Sequence, residues 1–231
     1  SIYYEDDCSG DARLFTKKLA NESVKLGAKI FTKTKVEKIT RHKNKITGLE
    51  TANKFISTSN IIIAAGNNTP ILTRHFGLNP SIKPVKGYSL TFELNGKNQL
   101  PRIPVIDDSM HAAIVPLGKR LRAVGTAELA GFDKSIPNER IDNLKYLFKR
   151  LYPDLNKTVN WANVKPWAGL RPMSADSLPF IGKVKNIKGL WINSGHGHLG
   201  WTMSSGSAIL ISDLIEGKKP SIDPLPYRID R

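Results

Sequence analysis

The chain has 231 residues and a mass of 25.6 kDa, enough to bury a sizeable core as one large domain or two small ones. Hydrophobic residues make up 40% and charged residues 24%, which excludes a disordered chain, and the longest purely apolar run, Ile61–Ala65, is far too short to span a bilayer. Lys and Arg number 35 against 20 Asp and Glu, a formal charge of +15 that predicts either attraction to an anionic partner or a solvated, lysine-biased surface. The basic residues are spread through the chain, with short clusters such as Lys17-Lys18 and Lys218-Lys219, and no basic stretch is interleaved with aromatics. This argues against nucleic acid and leaves loose association with an anionic membrane face as the better reading. Cys8 is the only cysteine, so no internal disulfide is available, and no signal peptide is visible at the start.

In chain order, Asp11 precedes a helical pattern of Ala12, Phe15, Leu19 and Leu26, with Gly27 as its stop. Short alternating segments follow at 29–34, 35–40, 45–50 and 54–57, separated by turn-prone residues, and predict an antiparallel meander. The unalternating run Ile61–Ala65, ending at Gly66, predicts a strand buried on both faces in the centre of a parallel sheet. A helix is expected over 69–76, broken by Gly77 and Pro80. Strands are expected over 83–94, 112–116 and 120–126, then a helix from Pro137 to about Leu151 with Ile141, Leu144 and Phe148 on its stripe. A last strand over 190–193 leads through a glycine-rich turn into a helix over 199–216, whose buried stripe is predicted as Ser204, Ala208, Ile211 and Ile215.

Three segments carry chemical content. In Asn193-Ser194-Gly195-His196-Gly197-His198-Leu199-Gly200-Trp201-Thr202, glycines between a strand and a helix let backbone approach a ligand, and the helix start offers N–H groups and a positive dipole end to an anion. The same segment equally serves as a plain connection with a good helix start. His196 and His198 lack a third ligand at supporting spacing, so a metal site is not expected, and no Gly-x-Ser-x-Gly is present for a serine nucleophile. In Trp167-Ala168-Gly169-Leu170-Arg171-Pro172-Met173-Ser174-Ala175-Asp176, Arg171 stands at a strand end, either to clamp a carboxylate or to pair with Asp176 on the surface. In Pro84-Val85-Lys86-Gly87-Tyr88-Ser89-Leu90-Thr91, Tyr88 serves a pocket, a core or an interface.

These motifs, with Gly10-Asp11…Leu14-Phe15-Thr16 and Gly125-Thr126-Ala127-Glu128, occur in an order and spacing that resemble the small subunit of bacterial D-amino acid dehydrogenase. The last two blocks, Gly-Leu-Arg-Pro and the glycine loop, resemble the wider group of D-amino acid, glycine and sarcosine oxidases. The resemblance implies an α/β fold with an α+β insertion: a partial FAD-binding parallel-sheet domain over 1–82, an antiparallel substrate-binding sheet over 83–165, and a return to the FAD domain with a C-terminal helix over 166–231. It implies FAD as cofactor, a small D-amino acid as substrate and oxidative deamination by hydride transfer from Cα to flavin N5. A quinone acceptor and a cytoplasmic position at the face of the bacterial inner membrane are implied as well.

Residue by residue, the resemblance gives Arg171 the substrate carboxylate and Tyr88 the pocket wall. Gly195, His196, Gly197, Leu199, Gly200, Trp201 and Thr202 fall along the flavin edge, Gly66 near the nucleotide and Val36 near the adenine. The resemblance implies an opening strand, Gly-x-Gly-x-x-Gly turn and helix that hold the FAD pyrophosphate; this sequence starts close to the helix that follows that unit in the family, so the chain reads as a C-terminal fragment of such an enzyme, expected to be inactive on its own. The competing expectations are a glycine or sarcosine oxidase-like amine oxidase, and a non-catalytic remnant or basic binding module.

Overall fold

The computed structural model describes residues 2–93 and 101–231. Its elements are α1 (Ala12–Lys25), β1 (Val36–His42), β2 (Lys45–Thr51), β3 (Phe55–Ser57), β4 (Ile61–Ile63), α2 (Thr69–Thr73), β5 (Ile82–Glu93), β6 (Val105–Asp107), β7 (Ala112–Leu117), β8 (Arg120–Glu128), α3 (Asn138–Leu151), α4 (Pro153–Asn156), β9 (Pro166–Ser174), β10 (Phe180–Lys183), β11 (Leu190–Ser194) and α5 (Ser204–Glu216). They fall into two compact units, one of the residues up to Lys29 with Val85–Leu170, the other of Ile30–Pro84 with Arg171–Arg231.

The first unit is built on a five-stranded sheet in the order β6-β7-β8-β5-β9. Alternation along β5 and β8 turns Tyr88, Leu90, Phe92, Leu121 and Ala123 into a core that Ile141, Leu144, Leu147 and Phe148 of α3 close. Phe92 meets Phe148 edge to face at 4.7 Å between ring centroids, a geometry that adds about 1 kcal/mol to the burial itself. α3 follows the extended Pro137, carries Glu139 in its first turn and Lys149 and Arg150 in its last, and gives way at Tyr152 to the Pro-led α4. α1 is capped by Asp11, whose Oδ1 accepts from the Leu14 N–H at 3.0 Å while Oδ2 accepts from Arg120 at 3.1 Å. The predicted helix is present, but none of its residues is buried.

The second unit holds two three-stranded sheets, β1-β2-β3 and β10-β11-β4. The first is antiparallel, the meander expected from the alternating pattern. In the second, β10 and β11 are antiparallel while β11 and β4 are parallel. Ile39, Ile46, Ile63, Ile82, Phe180, Leu190 and Ile192 form a continuous core, and on the far side of β10 the helix α5 buries Leu210 and Ile211 against Ile181.

Four expectations are corrected. Residues 29–34 form no strand, because a turn at Thr32-Lys33 puts Lys33 at φ +54. β4 ends its three-stranded order instead of occupying the centre of a parallel sheet, and Ile62, on the face away from the core, is 46% exposed. The helix expected over 69–76 splits into α2 and a tighter 3-10 turn over Arg74–Phe76, closed by Gly77 at φ +74. The last helix begins at Ser204, after a 3-10 turn over Gly197–Leu199, and buries Ser207, Leu210 and Ile211 in place of Ser204, Ala208 and Ile215. That helix carries apolar residues on more than one side, so periodicity did not single out the inward face. β5 matches the strand expected over 83–94 except for position 94, which lies outside the described residues.

Candidate active site

Within the second unit, β9 ends against the glycine loop. Met173 and His196 pair as an isolated antiparallel bridge, so the strand carrying Arg171 lies directly against the loop; Arg171 itself sits inside β9, three residues short of its end, which corrects the strand-end position expected from the sequence. Gly197 adopts φ +58, and a Cβ there would stand 2.8 Å from Met173 Sδ; Gly195, at φ +84, would bring one within 3.3 Å of Phe180 and Ile82. Both glycines are required by backbone conformation and by the chain's own packing, a requirement in addition to the ligand approach expected from the sequence. Gly66 adopts φ +53 with Pro172 3.8 Å from its Cβ position, which brings the end of the Ile run beside the residue following Arg171.

Hydroxyl groups lock this junction. Thr69 Oγ1 and Ser194 Oγ are both buried and 2.8 Å apart, and Ser194 Oγ also lies 3.4 Å from the Gly66 carbonyl. The His196 ring is held 3.0 Å from Ser207 Oγ of α5 through Nε2, and burial pushes its pKa below the ordinary value. Arg171 is half-buried, and loss of hydration lowers its guanidinium pKa without threatening its charge near neutrality. Leu199, Trp201 and Thr202 are exposed beside the loop, and Gly200 is half-buried. The alternative partner for Arg171, Asp176, is gripped by Arg231 at 2.7 and 3.0 Å, which holds its carboxyl at about 2. Val36 opens β1, half-buried against the core of the same unit.

The loop does not enter α5 directly. Gly200–Met203 form further turns, with Met203 N–H donating to the Leu199 carbonyl, so the α-helical N-terminus lies at Ser204 and not at the last loop glycine. The helix start expected at Leu199 is corrected to Ser204 accordingly.

Tyr88 belongs to the first unit and is 1% exposed. Its hydroxyl donates to Glu128 Oε2 at 2.7 Å, and burial together with that carboxylate raises the phenol pKa. Lys86, also 1% exposed, donates to Asp133 Oδ2 at 3.0 Å and the Ser135 carbonyl at 3.2 Å, and lies 3.7 Å from Glu128 Oε1. Arg140 Nε of α3 reaches Glu128 Oε2 at 3.3 Å. A register shift between Lys86/Glu128 and Tyr88/Gly125, with Thr126 at φ +73, sets Glu128 where it spans both same-face residues of β5. Sequence reasoning missed Lys86, Glu128, Thr69, Ser194 and Ser207 as site-shaping residues. The only available signal was that Lys86 and Tyr88 share a strand face and that Glu128 closes a singled-out motif.

The chain is similar to a D-amino acid dehydrogenase of Paramagnetospirillum magneticum, 37% identical over 235 residues that cover 100% of this chain and 54% of that protein. It is similar to an uncharacterized oxidoreductase of Halorhodospira halophila, 37% identical over 217 residues, 94% of this chain and 98% of that one. Among solved structures, glycine oxidase from Geobacillus kaustophilus superposes with a TM-score of 0.84 at 27% identity, covering 93% of this chain and 56% of that one. The chain thus spans about half the length of the D-amino acid dehydrogenases it matches. Residues 1–214 match the family model of the FAD dependent oxidoreductases, and with the glycine loop, Gly66 and Arg171 assembled in one unit, the chain belongs to that family.

Proposed function

We propose that this chain supplies the substrate-carboxylate site and one wall of the flavin site of an FAD-dependent D-amino acid dehydrogenase acting on small, D-alanine-like substrates. The observation that carries this reading is the convergence of a half-buried arginine, a strand end and a glycine loop through the Met173–His196 bridge. The donor set fits a flavin: glycine backbone that tolerates no side chain at 195 and 197, with Leu199 and Trp201 offering exposed apolar surface to a ring. Gly66 and the main chain of Val36 are assigned to the nucleotide portion of the cofactor, and Gly195, His196, Gly197, Leu199, Gly200, Trp201 and Thr202 to its flavin edge.

When bound, FAD supplies the acceptor for the hydride that leaves substrate Cα. The chain's task is orientation and charge. Arg171 takes the substrate carboxylate, because its desolvated guanidinium gains most from an anion with matching fork geometry. His196, held by Ser207 and kept neutral by burial, adds no competing positive charge beside the loop. Tyr88, with its proton committed to Glu128, serves as a strut of the antiparallel sheet and not as a proton carrier. The amine loses a proton as the Cα–N bond becomes C=N, and water hydrolyses the imino acid to a 2-oxo acid and ammonia. The two electrons pass on to a quinone.

A second reading, a glycine or sarcosine oxidase-like amine oxidase, is favoured by the structural likeness to glycine oxidase. The two are separated by mixing the complete FAD-loaded enzyme to which this chain contributes anaerobically with D-alanine, sarcosine or glycine and following loss of the visible flavin band. Reoxidation is then timed with a soluble quinone analogue and with oxygen. Bleaching by D-alanine with faster reoxidation by quinone supports the dehydrogenase. Bleaching by sarcosine or glycine with fast oxygen reoxidation supports the oxidase, and no bleaching by any of them overturns both.

A further inference from the structure

The two faces of the five-stranded sheet in the first unit are unlike. One carries Tyr88, Leu90, Phe92, Leu121 and Ala123 into the core that α3 closes. The side-chain period of two sends the residues between them, Ser89 and Thr91 of β5 with Arg122 and Val124 of β8, to the opposite face. There Thr91 stands directly across from Arg122 and Ser89 across from Val124, while Val115 of β7 faces Arg122 from its other side. Thr91, Val115, Arg122 and Val124 are all half-buried, so this face is partly withdrawn from water without being sealed as a core.

Two arginines lie on this face, two positions apart on one strand, and their charges are met differently. Arg120 is neutralised: its Nη2 donates to Asp11 Oδ2 at 3.1 Å. Arg122 donates through Nε to Thr91 Oγ1 at 2.8 Å, which orients the guanidinium but leaves its charge uncompensated. Among the described residues Arg122 makes no ion pair within 4.0 Å. Asp11 feels Arg122, but its carboxylate is already committed, Oδ2 to Arg120 and Oδ1 to the Leu14 N–H at 3.0 Å. Diagonal to Arg122 is Ser89, 4% exposed, whose hydroxyl bonds to no other described residue. A half-buried cation without an anion and a buried hydroxyl without a partner both weigh against the fold, and one acceptor group from outside satisfies both.

We infer that Arg122, with Thr91 and Ser89, forms a binding site for the carboxylate of a small aliphatic acid. With Nε held by Thr91, the two terminal nitrogens remain as a fork whose spacing matches the two oxygens of a carboxylate. Val115 and Val124 flank that fork with apolar surface suited to a short hydrocarbon chain behind the charged group. A polyanion fits poorly, since the fork is single and the Asp11 carboxylate pairs with the next arginine on the same face. The site lies on this sheet and stands or falls independently of the proposed reaction.

The test is a titration of the full isotope-labelled chain, followed through its arginine Nε–H signals, with sodium propionate, with propionamide and with sodium chloride at matched ionic strength. The Arg122 signal, identified by its loss in Arg122→Gln, should shift saturably with propionate at a Kd of about 1–10 mM, the range open to so small a ligand. Propionamide and chloride should leave it in place. For the variants, affinity is read from the propionate methyl signal by saturation transfer. Arg122→Gln should abolish binding. Arg122→Lys, which keeps the charge and guards against misfolding, should weaken it about tenfold, because an ammonium presents no fork. Ser89→Ala and Thr91→Val should each weaken it about threefold. Lys149→Gln, at an exposed position of α3 behind the covered face, should bind as the parent does. A shift that never saturates or that chloride or propionamide reproduces, unchanged affinity in both Arg122 variants, or an equal loss in Lys149→Gln would each overturn the assignment.

Discussion

The main chains of Met173 and His196 pair as an antiparallel bridge, and the Met173 sulfur fills the space where a side chain on Gly197 would begin. This contact couples the Arg171 strand to the glycine loop, so a change on one side is felt on the other. Gly197→Ala should destabilise the fold by about 1–2 kcal/mol, part from the positive φ and part from the Met173 contact. Met173→Ala in the same chain should remove the steric part and leave the conformational one. Urea unfolding of the two single variants and the double variant reads this as a non-additive cycle; strict additivity would deny the coupling.

Arg171→Ala should raise the KM for D-alanine about 100-fold or more, with the spectrum of bound flavin unchanged, since the arginine is assigned to the substrate carboxylate and not to the cofactor. Arg171→Lys should recover only a small part of the loss, because a single ammonium cannot reproduce a two-pronged grip. Steady-state kinetics on the complete FAD-loaded enzyme check both, and an unchanged KM would remove Arg171 from the site.

His196 gives the fold a pH dependence of definite sign. Its folded pKa lies below the ordinary 6.5, so in the window just beneath 6.5 the unfolded chain takes up a proton that the folded ring resists. Stability should therefore fall as pH is lowered through that window and be level above it. His196→Gln, which keeps a polar group near Ser207 without a titrating ring, should flatten the slope. Denaturation midpoints at about pH 7.5 and 5.5 suffice to measure it. The lowered carboxyls, such as Glu128 and Asp176, begin to lose their contribution as pH falls into the ordinary carboxylate range and go on losing it down through their lowered values, beneath the His196 window.

The buried hydroxyl pair beneath the loop should behave as a unit. Ser194→Ala strands Thr69 Oγ1 of part of its bonding and should cost about 1–2 kcal/mol. Adding Thr69→Val, which removes the other hydroxyl, should cost less than a second independent loss. Thermal unfolding of the three variants gives the comparison, and a summed effect would show that the pair does not act together.

The sequence by itself determined the elements with strong local signals. Asp11 and Gly27 bracket α1, Pro137 and the Ile141, Leu144 and Phe148 stripe define α3, and alternation lays out β1–β3, because capping chemistry and side-chain period act over a few residues. It also singled out the glycine loop and Arg171, since a glycine run and an arginine in an otherwise apolar strand are recognisable wherever they fold; that Arg171 lies inside β9 and not at its end was decided by pairing.

Tertiary structure decided everything that depends on who stands opposite. Whether the Ile61–Ile63 strand has neighbours on one side or two is set by sheet order, and three isoleucines in a row read the same in either place. The inward face of α5 was fixed by Leu210 and Ile211 meeting Ile181, with Ser207 reaching the His196 ring. The partner of the Tyr88 hydroxyl was decided by Glu128, 40 residues away, arriving through a register shift. The basic residues that look scattered along the chain became one surface only when the 41–45 and 183–188 turns were bonded together. Charge and hydroxyl partners act through space, and no local pattern records them.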